Sequence, residues 1–132
     1  MTQVLIVEDD ELNRKLIGAI VGDMDGFTMI ADLCPTFSDV QTIASNPRVF
    51  IDIAIVDGQF PLQKGGAIKN DAGRTTAEYL RRVRPGIKIL ACSGNEEDSL
   101  DWADAFLRKP FNIAVLEATL IELASSIQPE PS

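Results

Sequence analysis

Apolar residues fall into two rhythms along this chain. Val4-Leu5-Ile6-Val7, Thr28 to Leu33, Ile51 to Val56, Ile87 to Ala91 and Ala105 to Leu107 are short runs dominated by aliphatic and β-branched side chains. Runs of that length and continuity suit strands covered on both faces. Between them the spacing lengthens. Leu12, Leu16, Ala19 and Ile20 recur at i, i+4, i+7 and i+8, which predicts a helix burying that stripe. Ser38 to Ser45 reads as a shorter helix stopped by Asn46-Pro47. Helix returns from about Gly73 to Arg84, with Ala77, Leu80 and Val83 as its apolar stripe and Pro85-Gly86 as its stop. Ile113, Leu116, Leu120, Leu123 and Ile127 complete the pattern at three- and four-residue spacing. Strands alternating with helices predict an α/β fold, a doubly wound parallel sheet whose crossovers cover both faces.

Length fits this picture with one domain: 132 residues give residues 1–127 to the domain and leave 128–132 as a polar tail. Composition then narrows the chemistry. Twelve Lys and Arg against twenty Asp and Glu leave a net charge of −8, and there is no histidine. The acidic balance argues against direct nucleic-acid binding and favours cations or basic partners. Zinc held by histidine and nucleophiles activated by histidine are excluded on this chain. No apolar run approaches the roughly 20 residues of a membrane span, and Met1-Thr2-Gln3 lacks a signal-peptide charge pattern. A cytoplasmic protein is expected, without membrane insertion. Cys34 and Cys92 have no metal or redox spacing and read as reduced packing residues.

In doubly wound sheets ligands bind beyond the carboxyl ends of the strands, so those ends matter most. The first strand ends in Glu8-Asp9-Asp10, the third in Asp57, the fourth in Ser93, and the fifth runs into Lys109-Pro110. Clustered carboxylates repel unless a cation neutralises them. An all-oxygen set suits Mg²⁺, a hard cation. Lysine and a hydroxyl on the same rim suit a phosphoryl group, and a carboxylate can serve as its acceptor. Taken singly, Asp10 suits a helix cap and Asp57-Gly58 a turn; their joint register with the strand ends is what points to chemistry.

With these residues in place the chain resembles the receiver domains of two-component response regulators. The matching segments are Val4 to Asp10, Asp52 to Asp57 with Phe60-Pro61, Ile89 to Gly94, and Leu107 to Phe111. The resemblance implies a flavodoxin-like five-stranded sheet in the order 2-1-3-4-5. It implies Asp57 as phosphoacceptor, with Mg²⁺ bound by Glu8, Asp9, Asp57 and the backbone carbonyl of Gln59. It also implies Lys109 as the phosphoryl partner, Ser93 as switch hydroxyl, Phe106 as switch aromatic, and a cis peptide at Lys109-Pro110. The expected partners are a sensor histidine kinase or histidine phosphotransfer protein and a downstream effector protein. Such a domain is no enzyme in its own right, though it assists its own phosphorylation and dephosphorylation.

Two stretches depart from the family pattern. Sixteen positions separate Asp57 from Gly73, and Lys64 to Asn70 reads as an insertion in one long loop, either a partner-specific lid or a tolerated surface segment. Sixteen positions also separate Ser93 from Lys109, leaving only Glu96 to Trp102 for a shortened fourth helix. Trp102 is expected to pack over the sheet edge where that helix is reduced. Arg81, Arg82 and Arg84 read as a solvated helix face. The main alternative is a receiver-like docking module that works without phosphorylation. A haloacid-dehalogenase-type phosphatase would need aspartate where Gln59 stands, and a flavin carrier would not place acidic residues after its first strand.

Overall fold

In a computed structural model of the chain the apolar runs pair as parallel strands. The structure describes residues 1–30, 36–58, 60–69, 71–94 and 101–127. Residues 31–33 of the expected second strand, Cys34, Gln59, residues 96–100 of the expected short helix and the 128–132 tail lie outside the described residues. In chain order the elements are β1 (Thr2–Val7), α1 (Glu11–Gly22), β2 (Phe27–Met29), α2 (Phe37–Ala44), β3 (Ile53–Asp57), β4 (Phe60–Pro61), β5 (Ile68–Lys69), α3 (Ala72–Val83), β6 (Lys88–Ser93), β7 (Ala105–Arg108) and α4 (Ile113–Ser125). The main sheet runs β2-β1-β3-β6-β7 with every pair parallel. Setting the small β4-β5 hairpin aside, this is the expected 2-1-3-4-5 order in a flavodoxin-like fold.

Alternation along the central strands explains why they read as unbroken apolar runs. Leu5, Val7, Ala54, Val56, Ile89 and Ala91 face one side, where α2 and α3 supply Val40, Ile43, Ala77 and Leu80. Val4, Ile6, Ile53, Ile55, Leu90 and Cys92 face the other, against Ile17, Ile20 and Val21 of α1 and Leu116, Leu120 and Leu123 of α4. Successive side chains point to opposite faces and both faces are covered, so no position is left polar by solvent. Among the described residues no helix is long and apolar enough to cross a membrane.

The docking of α1 differs from the expected stripe. Leu12 is 79% and Leu16 50% exposed, and Ala19 is also exposed, whereas Ile17, Gly18, Ile20 and Val21 are buried. Two apolar stripes overlap on this helix. The one with consecutive large aliphatics lies against the sheet, and Gly18 lets Met29 of β2 come close enough that a Cβ there would sit 2.7 Å from the Met29 sulfur. Ile113 of α4 and Val83 of α3, also expected inside, are 52% and 41% exposed at the helix ends.

The arginines after α3's apolar stripe are a second correction. Only Arg82 is fully exposed. Arg84 donates to the carbonyls of Ala44, Asn46 and Val49, closing the end of α2 onto the end of α3. Arg81 donates to the Trp102 carbonyl and pairs with Asp104 at 3.2 Å. A planar guanidinium with several donors suits such carbonyl-rich helix ends, so Arg81 and Arg84 join elements while Arg82 stays on the solvated face.

The long connection after β3 is likewise ordered, as a hairpin rather than one loop. Phe60 pairs with Lys69 and Pro61 with Ile68. Phe60 is fully buried in the α2/α3 face of the core, and the Leu62 carbonyl accepts the Ser38 N–H at 2.9 Å. The insertion is therefore rooted on the core and on the start of α2, with Ile68 and the residues around the Gly65 turn outside.

Candidate functional site

Each polar group on the rim is delivered by the end of a different parallel strand. Glu8 and Asp9 follow β1, Asp57 ends β3, Ser93 ends β6, and Lys109 follows β7. Register holds them level: Val7 pairs with Val56, Asp57 with Cys92, and Ser93 with Arg108. The Ser93 carbonyl accepts the Lys109 N–H at 2.8 Å, carrying the ladder one residue past the sheet. The Lys109–Pro110 peptide is cis.

Carboxylate oxygens of Glu8, Asp9 and Asp57 all lie within 4.8 Å of one another. Lys109 Nζ stands 2.8 Å from Glu8 Oε2 and 3.6 Å from Asp57 Oδ2. Glu8 is 2% exposed and its other oxygen accepts the Asp10 N–H. Asp10 itself caps α1, accepting from the Leu12 N–H at 3.0 Å. Ser93 is buried. Phe106 sits on the outer strand, 57% exposed, with the Arg108 guanidinium 5.9 Å from its ring centroid. Gln59, expected to offer a carbonyl, lies outside the described residues.

Charge at the rim is unevenly held. Burial lifts the Asp9 carboxyl above its ordinary value, and the Glu8 charge adds to the lift. For Lys109, burial alone would lower the ammonium pKa, but the hydrogen bond to Glu8 and the charge of Asp57 outweigh it and the net shift is upward. Cys92, beside the site on β6, is pushed up to about 12 by burial, so it stays a thiol and packs. The donor set, three clustered carboxylates with one of them resisting ionisation, fits a hard divalent cation.

A carboxyl whose pKa is higher in the folded chain keeps its proton longer when folded. Stability therefore falls as pH rises from the unfolded value through the folded one, and at neutral pH ionised Asp9 opposes folding. Asp9→Asn is expected to raise the melting temperature at pH 7 in chelator. It is also expected to lose most of the stabilisation that Mg²⁺ gives the natural chain, about 2.7 kcal/mol at a hundredfold excess over Kd. Scanning calorimetry with and without Mg²⁺ checks both; equal Mg²⁺ responses in the two proteins would remove Asp9 from the cation site.

Two neighbours of the site have contacts there that the sequence pattern does not announce. Arg14, on the first turns of α1, donates from Nη1 to the Glu8 carbonyl at 2.8 Å and so pins the corner that carries the acidic pair. Its neighbours Glu11, Asn13 and Lys15 are polar as well, so nothing in the spacing set Arg14 apart. Gly73 is the other: its N–H donates to the Gly58 carbonyl at 3.2 Å, and a Cβ there would lie 2.8 Å from the Asp57 carbonyl oxygen. The bare glycine lets α3 start against the carboxyl end of β3.

No protein-family model and no curated protein matches this chain. Solved structures do. It is similar to a CheY-like response regulator receiver domain protein from Methanospirillum hungatei, with 22% identity, a TM-score of 0.73 and 95% of each chain covered. It is similar to the response regulator TrrA from Thermotoga maritima, solved in complex with Mg²⁺-BeF, at 20% identity and a TM-score of 0.74, covering 93% of this chain and 99% of that one. A response regulator receiver protein from Sinorhizobium medicae aligns at 21% identity and a TM-score of 0.75, covering 96% and 97%. With strand order, near-complete coverage in both directions and the acidic rim in agreement, the fold of this chain is that of the CheY-like receiver domains of response regulators.

Proposed function

We propose that this chain is a response regulator receiver that accepts a phosphoryl group on Asp57 from a phosphohistidine and signals by protein contact. The observation that carries the reading is the joint placement of Glu8, Asp9 and Asp57 within 4.8 Å, with Lys109 between Glu8 and Asp57. In the transfer an Asp57 carboxylate oxygen forms a bond to phosphorus as the phosphorus–nitrogen bond of the donor histidine breaks, and the imidazole leaves with the electron pair. The ammonium of Lys109 would take one phosphoryl oxygen and the Ser93 hydroxyl another. Mg²⁺, held by Glu8, Asp9 and Asp57 with the carbonyl of Gln59, would neutralise charge on the phosphoryl oxygens. Phe106 is the aromatic position whose environment would change with them.

The 132 residues hold no histidine; the donor on this reading is a sensor histidine kinase or a histidine phosphotransfer protein, and a downstream effector protein reads the signal. On this reading the domain is not a free-standing enzyme but assists its own phosphorylation and dephosphorylation, and it works in the cytoplasm. Intact-protein mass after incubation with acetyl phosphate and Mg²⁺ tests it. One base-labile phosphoryl adduct is expected, absent from Asp57→Ala and from chelated samples. No adduct on a folded chain that still binds Mg²⁺ would overturn the reading and leave a docking module that works without phosphorylation.

A further inference from the structure

Trp102 is placed where a merely space-filling aromatic need not be. It is the only tryptophan in the chain, 8% exposed, and lies in a turn before β7 rather than in a helix. Its ring seals the α2/α3 face of the core, as expected from its size. The contact it makes there is specific. A Cβ on Gly73 would lie 2.8 Å from Cη2 and 2.8 Å from Cζ2 of the indole, and also 2.8 Å from the Asp57 carbonyl oxygen. One small gap at the start of α3 thus admits the edge of the indole and the main chain of Asp57 together.

The segment that carries Trp102 is fastened on both sides. Asp101 pairs with Arg74 at 2.7 Å, and Arg81 holds both the Trp102 carbonyl and Asp104. Asp104 in turn accepts the Ile89 N–H at 2.7 Å and donates its own N–H to the Ile89 carbonyl at 2.9 Å, locking the segment to β6. Exposed ion pairs contribute little singly; here they fix the direction from which the indole reaches Gly73. The ring and the main chain of Asp57 thus flank the same Cβ-less face of Gly73.

We propose that Trp102 is a positioning residue for Asp57, acting through the Cβ-less face of Gly73, and that it senses what binds at the rim. The inference rests on the reading of Asp57 as phosphoacceptor. Its test compares the full chain with Trp102→Ala and Trp102→Phe, following the acetyl phosphate adduct by mass over time and Mg²⁺ affinity and urea midpoints alongside. Trp102→Ala is expected to label about tenfold more slowly, as small displacements of a reacting group do, and to bind Mg²⁺ more weakly because Asp57 is among the carboxylates that would hold the ion, with Trp102→Phe restoring most of the rate. Emission of the natural chain, which reports this one ring, is expected to shift when beryllofluoride is added with Mg²⁺.

Equal labelling rates in the three folded proteins would overturn the proposal and leave the role of Asp57 intact. If the natural chain takes no adduct at all, the underlying reading fails first and the proposal with it. Should Trp102→Ala not fold, Trp102→Leu takes its place in the same comparison of rates beside the emission response: a slowed Trp102→Leu or a shifted emission supports the proposal, and a rate equal to that of the natural chain with unshifted emission overturns it.

Discussion

Lys109→Ala is expected to slow phosphoryl uptake on Asp57 by about 10²- to 10³-fold, the scale seen when one preorganised donor to a developing oxyanion is removed, while tightening Mg²⁺ at the same rim. The opposite signs follow from the geometry. Lys109 Nζ reaches Glu8 at 2.8 Å and Asp57 at 3.6 Å, so in the absence of metal it is the cation that holds the carboxylates together. Removing it leaves their repulsion to the metal alone. Adduct formation by mass and Mg²⁺ binding by calorimetry separate the effects; a parallel loss of both would mean that Lys109 only shapes the Glu8 corner. The pH dependence runs with it. The Lys109 pKa is raised above its ordinary 10.5, so its contribution to stability is complete below that value and lost as pH climbs through the folded one.

Phe60→Ala is expected to cost about 3–5 kcal/mol in urea unfolding, the usual range for emptying a buried aromatic site, against a total of roughly 5–15 kcal/mol for a domain. Phe60 is among the largest fully buried side chains, although it lies only three residues past Asp57 in what reads as a loop. Ile68→Ala, across the same hairpin but 59% exposed, is expected to stay within about 0.5 kcal/mol. If both variants unfold at the same urea concentration, the hairpin is not rooted in the core.

How much could be read before any coordinates depended on how local each signal was. The strands announced themselves because burial on both faces leaves no polar position between Val4 and Val7 or between Ile53 and Val56. Once those runs were placed, their ends brought Glu8, Asp9, Asp57, Ser93 and Lys109 to one rim. The rotation of α1 was not legible, since Leu12-Leu16 and Ile17-Ile20-Val21 offer overlapping stripes and only the close approach of Met29 to Gly18 chooses between them. Two-residue strands such as β4 and β5 are too short for periodicity to show. Arg84 and Trp102 gain their partners across some forty and thirty residues, a distance at which sequence spacing says nothing.

The hairpin has a further consequence for how such a domain changes over generations. Its two strands are held at the base by Phe60 and by the Leu62–Ser38 hydrogen bond, whereas the turn itself constrains only its glycines: Gly65 has a φ of +78°, and a Cβ on Gly66 would lie 3.0 Å from the Gln63 carbonyl oxygen. Lengthening a loop that is already closed costs little, about 0.6 kcal/mol per doubling. Insertion, and substitution at exposed positions such as Lys64, Ala67 and Ile68, can therefore vary the tip while the rim a few residues away stays fixed, which makes this turn a place where new recognition can be acquired without touching the chemistry.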